Sequence, residues 1–198
     1  CAYPAMTPGE IDDMLGDQCY TVDQAIMPNQ RIANFCGVPF GILPLSGHTP
    51  GHIGIITPDK VAYLADVLMC EEVMNAKMPS AVCRADDLRA KESLRALHCE
   101  AYVVAHHGVY TDISDLIEKN INYILERAEL VYQCLEGSMS EEEWVRAVYN
   151  KLEMRSRHAF KCAVCERNMR SFIDYLADGG RVAIERRQGV CWYHHLDQ

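Results

Sequence analysis

The chain has 198 residues with a formal net charge of −9, and 49% of the residues are apolar. This length allows one domain or two small ones, with a core that needs no metal or disulfide to hold it together. The composition excludes a disordered chain, a collagen and a coiled-coil rod. No apolar run reaches the roughly 18 residues that cross a bilayer, and residues 1–4 have no features of a secretory signal. We therefore expect a cytoplasmic protein without a membrane partner, and the acidic charge argues against a nucleic-acid partner.

The first part of the chain predicts a sheet. Residues 1–37 show little periodicity, apart from a possible short helix near Asp12, Asp13 and Gly16. Three short apolar runs between turns then predict strands, and a turn of Pro, Asp and Lys joins the last two as in a hairpin. The runs cover residues 40–45, 53–56 and 61–64.

A helix and a further strand follow. Asp86 or Asp87 can cap the helix. Its buried face would carry three leucines, Leu88, Leu94 and Leu97. Residues 101–105 form an unbroken apolar run, as expected for a strand that is buried on both faces. The order strand, helix, strand predicts an α/β layer.

The rest of the chain predicts three helices and a hairpin. A continuous apolar stripe predicts one helix over residues 114–136, and a capping box at Ser140 opens the next. The third helix stops at Gly179, and residues 182–192 alternate around a turn, which predicts a β-hairpin. The stripe consists of Ile117, Ile121, Ile124, Ala128, Val131 and Leu135.

This order of elements resembles a winged-helix module, with residues 181–195 as the wing. We therefore predict two domains, an α/β part over residues 1–113 and a helical module over residues 114–198.

The cysteines predict buried thiols rather than a disulfide framework, because nothing indicates secretion. Among the ten cysteines the one close pair is Cys162 and Cys165, in a C-x-x-C arrangement. A closed zinc site needs two more ligands at recognisable spacing, and His158 alone does not supply them. We interpret the pair as buried helix thiols, and a thiol or zinc protein built on it is a competing hypothesis.

Three polar clusters stand where predicted strands end. His48 and His52 lie in the loop GHTPGH, in which the Pro-Gly pair forbids a helix and can hold an imidazole in one orientation. Asp66 closes the apolar run before it, and His106 and His107 follow the apolar run that ends at residue 105. Imidazoles and a carboxylate at strand ends are a recurrent way to build a catalytic metal site.

These clusters resemble the last three metal motifs of the metallo-β-lactamase superfamily. The matching stretches are LSGHTPGH, LADVL and VVAHHG, and the spacings from His48 to Asp66 and from Asp66 to His107 are 18 and 41 residues. The resemblance covers about residues 38–195, because the winged-helix-like tail is similar to the C-terminal module of some members.

The resemblance implies a sandwich of two mixed sheets with helices outside. It also implies hydrolysis of an ester, thioester, lactam or phosphodiester at one or two zinc ions, with iron or manganese in some members. By the same resemblance His48 binds the first metal, Asp66 bridges both metals as the catalytic residue, and His107 binds the second. His106 is the alternative to His107, and His52 supports the loop without binding metal.

The superfamily's first metal motif, H-x-H-x-D-H, is not found, because no histidine precedes His48. The sequence thus predicts the second half of the sandwich, which by itself should bind metal weakly and hydrolyse nothing efficiently. The expected partners are a small-molecule substrate and either a second copy of the chain, as a homodimer, or a chain that supplies the missing half. A metal-free binding or regulatory protein that uses the winged-helix-like module is the alternative.

Overall fold

The computed structural model describes residues 22–106, 108–156 and 158–196, together with Gly9. The possible short helix near Asp12 lies outside the described residues. The described part is a mixed α/β structure with two sheets and four α-helices. The first sheet has six strands, β1 (Ile32–Phe35), β2 (Val38–Pro44), β3 (Ile53–Ile56), β4 (Val61–Ala65), β5 (Ala101–Val104) and β6 (Gly108–Tyr110).

The six strands lie side by side in chain order. Neighbouring strands are antiparallel except β4 and β5, which are parallel. A parallel pair needs a crossover, and α1 (Arg84–Ser93) lies in this connection, flanked by short 3-10 turns at Val73–Asn75 and Leu94–Ala96. The predicted strands, the helix and the α/β class are therefore present.

The C-terminal part contains three helices and a small sheet. The helices are α2 (Ser114–Gln133), α3 (Glu141–Lys151) and α4 (Ala159–Asp178). The sheet is formed by β7 (Ser138–Ser140), β8 (Val182–Arg187) and β9 (Val190–His195), with β9 in the centre. No helix of the described residues has the length and apolar character that crossing a membrane requires.

Two core clusters share the long helix α2. Ile117 and Ile121 pack with the first sheet and α1, whereas Ile124, Ala128 and Val131 pack with α3 and α4. The predicted stripe is buried along its whole length, as its spacing indicated. Both parts of the chain therefore pack against α2. The domain boundary at residue 113 stays a prediction.

Three strands were not predicted from the sequence: β1, β6 and β7. The hairpin of β1 and β2 turns at Cys36 and Gly37, both with positive φ, as a tight two-residue hairpin turn requires. Strands β6 and β7 have only three residues each, which is too short for an alternating pattern to emerge.

Two predicted details were wrong. Strand β5 is not fully buried on both faces, because Tyr102 and Val104 are buried whereas Ala101 and Val103 are half-buried. Neither Asp86 nor Asp87 caps α1, whose N-cap position is Cys83 without a side-chain hydrogen bond. Asp87 is instead buried and forms ion pairs with Arg84 and Lys91.

The capping box of α3 is present as predicted. The Ser140 hydroxyl accepts from the Glu143 backbone N–H at 3.3 Å, and the Glu143 carboxylate accepts from the Ser140 backbone N–H at 2.8 Å. We expect Ser140→Ala to lower the free energy of unfolding by about 1 kcal/mol, because a helix N–H loses its acceptor. Urea unfolding followed by far-UV circular dichroism measures this. Ser138→Ala, at an exposed position of β7, is the control, and an equal loss in both variants would contradict the assignment.

Candidate functional site

Among the candidate metal-binding residues predicted from the sequence, those that the structure describes lie at one edge of the first sheet. The carboxyl ends of the parallel strands β4 and β5 meet at this edge, and the loop between β2 and β3 reaches the same edge. Asp66 follows β4, and His106 follows β5 after one residue. The strand directions therefore bring together side chains that lie 40 residues apart in sequence.

The His48 loop is closed by short hydrogen bonds. The Leu45 N–H donates to the His52 carbonyl at 2.9 Å, and the Ser46 hydroxyl donates to the Pro50 carbonyl at 2.8 Å. His48 Nδ1 lies 3.1 Å from the Ser80 carbonyl, which can only accept. In the neutral ring the proton therefore sits on Nδ1, and the lone pair is left on Nε2. Metal-binding histidines in proteins are oriented in this manner.

His52 connects the loop to the end of β4. Its Nδ1 lies 3.0 Å from the Leu45 carbonyl, and its Nε2 lies 3.3 Å from the backbone N of Asp66. A carbonyl accepts and an N–H donates, so both ring nitrogens are engaged in the neutral ring. His52 thus links the loop to the backbone at Asp66.

Asp66 and His106 are in direct contact. His106 Nε2 lies 3.1 Å from Asp66 Oδ1, with the carboxylate partly exposed and the imidazole exposed. Ala65 and His106 both have positive φ, at 50° and 61°. Such conformations are unfavourable for residues other than glycine and cluster at functional sites, where the surrounding structure enforces them.

His48, Asp66 and His106 line one cavity of about 290 Å³. Helix α4 contributes Val164 and Asn168 to its wall, so the helical part also shapes the cavity. His107 lies outside the described residues, and the choice between His106 and His107 as a ligand stays open. A larger cleft of about 650 Å³ lies elsewhere, between the segment that follows α1 and the start of α2, and its lining contains none of the three residues.

The donors at this edge fit a part of a metal site. Among the described residues, no group of three His, Cys, Asp or Glu side chains is arranged to hold a metal ion by itself. His48 Nε2 and the Asp66 carboxylate are donors of the types that zinc prefers. They therefore fit as part of a ligand set that further donors would have to complete.

A buried charged cluster, formed by Arg84, Asp87 and Lys91 of α1, lines the same cavity and was missed by the sequence analysis. Their exposed fractions are 1%, 3% and 2%. Arg84 Nη1 donates to Asp87 Oδ2 at 2.9 Å, and Lys91 Nζ donates to the other carboxylate oxygen. The sequence signal for this cluster is its spacing of three and four residues, which places all three residues on one helix face.

The charged cluster is joined to the His48 loop by close backbone packing. A Cβ built on Gly47 would lie 2.3 Å from the Asp87 Cα, and the Cys83 N–H donates to the Gly47 carbonyl at 3.1 Å. Gly47 has a φ of +146°, which side-chain-bearing residues rarely adopt. The loop that carries His48 therefore rests directly on the first turn of α1.

The C-x-x-C pair lies on α4 and does not belong to the lining of the cavity that contains His48. Cys162 and Cys165 are half-buried free thiols, and burial raises the pKa of the Cys165 thiol. The predicted position on a helix is confirmed, but the two thiols are half-buried and not fully buried as predicted.

Comparison with solved structures identifies the fold. A metallo-β-lactamase family protein from Thermus thermophilus superposes with a TM-score of 0.65 at 18% identity, covering 94% of this chain and 62% of that protein. A beta-lactamase domain protein from Burkholderia ambifaria gives a TM-score of 0.67 at 14% identity, covering 93% of this chain and 55% of that protein. The chain therefore has the metallo-β-lactamase fold, as the motifs predicted.

A curated relative is the hydroxyacylglutathione hydrolase GloC of Haemophilus influenzae. It is 33% identical over 116 residues, which are 58% of this chain and 51% of the relative. The chain thus spans about half the length of this relative. No protein-family model matches the chain.

Proposed function

We propose that this chain is part of a metal-dependent hydrolase that acts on an ester, thioester, lactam or phosphodiester. The observation that carries the proposal is the presence of His48 and Asp66 in one cavity at the strand ends of a metallo-β-lactamase fold. The relation to a hydroxyacylglutathione hydrolase supports a thioester or ester as the substrate bond. One or two zinc ions are the proposed cofactor, with iron or manganese as alternatives.

The residues of this chain would bind and position the metal. His48 would donate the Nε2 lone pair, and its Nδ1–H would stay on the Ser80 carbonyl. Asp66 would bind through its carboxylate, held by the His52 contact with its backbone N–H, and His106 or His107 would supply a further imidazole. A bound divalent metal supplies an acidified water and polarises the scissile carbonyl or phosphoryl group.

A further structural layer would complete the site. Tyr63 and Val109, on the sheet face opposite the helices, are 46% and 76% exposed. Together with Val103, with which both pair, they belong to neither core cluster of the described residues. Exposed apolar residues in a row on one face are typical of a surface that another element covers. We propose that this layer carries the H-x-H-x-D-H ligands, on further sequence of the same protein or on a partner chain.

Zinc binding tests the proposal. We expect the 198-residue chain to bind zinc weakly, and His48→Ala to lower the affinity by about tenfold or more, because an imidazole donor is lost. Competition against a chromogenic chelator measures the affinity. The control is His98→Ala, since His98 is an exposed histidine outside the lining of the cavity. Equal affinity in all three proteins would contradict the proposed site.

Turnover gives a second readout of the same prediction. We expect no efficient zinc-dependent ester or thioester hydrolysis by the 198 residues alone, since the ligand set is incomplete. Addition of the H-x-H-x-D-H half, on the same or a separate chain, should produce turnover that His48→Ala removes. Zinc-dependent turnover by the 198 residues alone, lost in His48→Ala, would contradict the need for a further layer.

The alternative is a metal-free binding or regulatory protein. The element order α2, β7, α3, α4, β8, β9 supports a winged-helix-like module, including a strand that the sequence analysis did not predict. Two of the three wing arginines argue against nucleic acid, because Arg181 pairs with Glu129 at 2.9 Å and Arg187 pairs with Glu185 at 2.6 Å. If the wild-type chain does not bind zinc, this alternative is favoured.

A further inference from the structure

The charged cluster in the cavity that contains His48 has one more basic side chain than carboxylates. Arg84 and Lys91 are cations, whereas Asp87 is the one carboxylate that both of them contact. All three are at least nine-tenths buried. The other carboxylate of the lining, Asp66, is partly exposed and contacts His106. One cation of the charged cluster therefore lacks a buried counter-charge among the described residues. Buried charges in proteins are normally balanced by partners.

The hydrogen bonds of the two cations are also incomplete. Arg84 Nη2 donates to the Pro79 carbonyl at 2.9 Å and reaches Ser171 Oγ at 3.4 Å, while the guanidinium stacks over Phe172 at 4.2 Å. Arg84 Nε is buried and has no acceptor among the described residues. Lys91 Nζ has three donors, and Asp87 Oδ1 is the acceptor described for it. Lys91 lines the cavity, so an anionic oxygen there would give its ammonium a second acceptor.

The burial of two cations beside one carboxylate affects the pKa values of both cations. Burial lowers the pKa of both Arg84 and Lys91, and the Asp87 carboxylate opposes that effect. A cluster that served only to attach α1 would be better balanced by one cation and one carboxylate. An anion beside Lys91 would make the charged cluster neutral.

We propose that the charged cluster, with Ser80 and Asn168 in the same lining, forms a subsite for the carboxylate or phosphate group of a small acidic substrate. This inference rests on the proposed function, since it adds a substrate class to that site. A cavity of about 290 Å³ suits a small molecule with one anionic group in the charged cluster and its scissile bond near His48 and Asp66.

Anion binding without metal tests the subsite separately from the hydrolase proposal. The 198-residue chain is titrated with inorganic phosphate, and in a second series with succinate, in chelator at constant ionic strength set with chloride. At ten times its dissociation constant a bound anion should raise Tm by about 3–6 °C for a chain of this size. The two titrations distinguish a phosphate-selective subsite from a carboxylate-selective one.

Two variants that replace Lys91 by an uncharged residue test whether its ammonium binds the anion. Lys91→Met and Lys91→Gln should abolish the shift, because each leaves a neutral pair of Arg84 and Asp87. The control Lys151→Met, at an exposed position at the end of α3, should keep the full shift and report any general salt effect. Equal shifts in all four proteins, or no shift in the wild type with either anion, would overturn the subsite.

An NMR titration of the wild-type chain tests the subsite even if both Lys91 variants unfold. In the ¹H–¹⁵N spectrum of the wild-type chain, phosphate or succinate should shift the backbone amides of Ser80 and Asn168, which line the cavity. Shifts confined to other residues would overturn the subsite. Anion binding at these residues without zinc affinity would retain the subsite and reject the hydrolase.

Discussion

Asp87→Asn should lower the free energy of unfolding by about 3–5 kcal/mol. The substitution preserves the shape of the side chain but leaves Arg84 and Lys91, exposed by 1% and 2%, without their shared carboxylate. Two uncompensated buried cations then have to be hydrated by partial opening of the cavity. Urea unfolding followed by far-UV circular dichroism measures the loss.

The neighbouring Asp86→Asn is the matched control. Asp86 belongs to the same first turn of α1, but it is partly exposed and pairs with exposed Arg89, so its loss should stay within about 0.5 kcal/mol. A loss below about 1 kcal/mol for Asp87→Asn would mean that the charged cluster is hydrated in solution and that the cavity is open to water.

Gly47→Ala should damage both the stability and the site. The new Cβ would lie 2.3 Å from the Asp87 Cα at a φ of +146°, so either the loop or the first turn of α1 has to move. Backbone strain and overpacking together should cost about 3 kcal/mol or more. Because His48 follows directly, zinc affinity should fall about as far as in His48→Ala.

Gly51→Ala in the same loop separates a specific effect from general loop sensitivity. A Cβ at Gly51 would meet no atom within 4 Å, and its φ lies outside the left-handed region. We expect wild-type stability and zinc affinity for this variant, measured by the same urea unfolding and chelator competition. Equal behaviour of the two alanine variants would show that the contact between loop and helix does not control the site.

Several features of this protein were predictable from the sequence because they depend on neighbours in the chain. The spacing of apolar residues predicted α2, and the Ser140 capping box and the C-terminal hairpin follow from local patterns. The three polar motifs predicted the metallo-β-lactamase fold and the strand ends at which His48 and Asp66 lie.

Other features were decided by the tertiary structure, because they depend on residues that meet only after folding. The contact of His106 with Asp66 requires the parallel pairing of β4 and β5, and the engagement of both His52 nitrogens requires the loop to close on β4. The burial of Arg84, Asp87 and Lys91 is the clearest case. Three charged residues on one helix face predict a solvated surface by local rules, and only packing against α4 and the His48 loop, with each cation held by a shared carboxylate, makes that face interior.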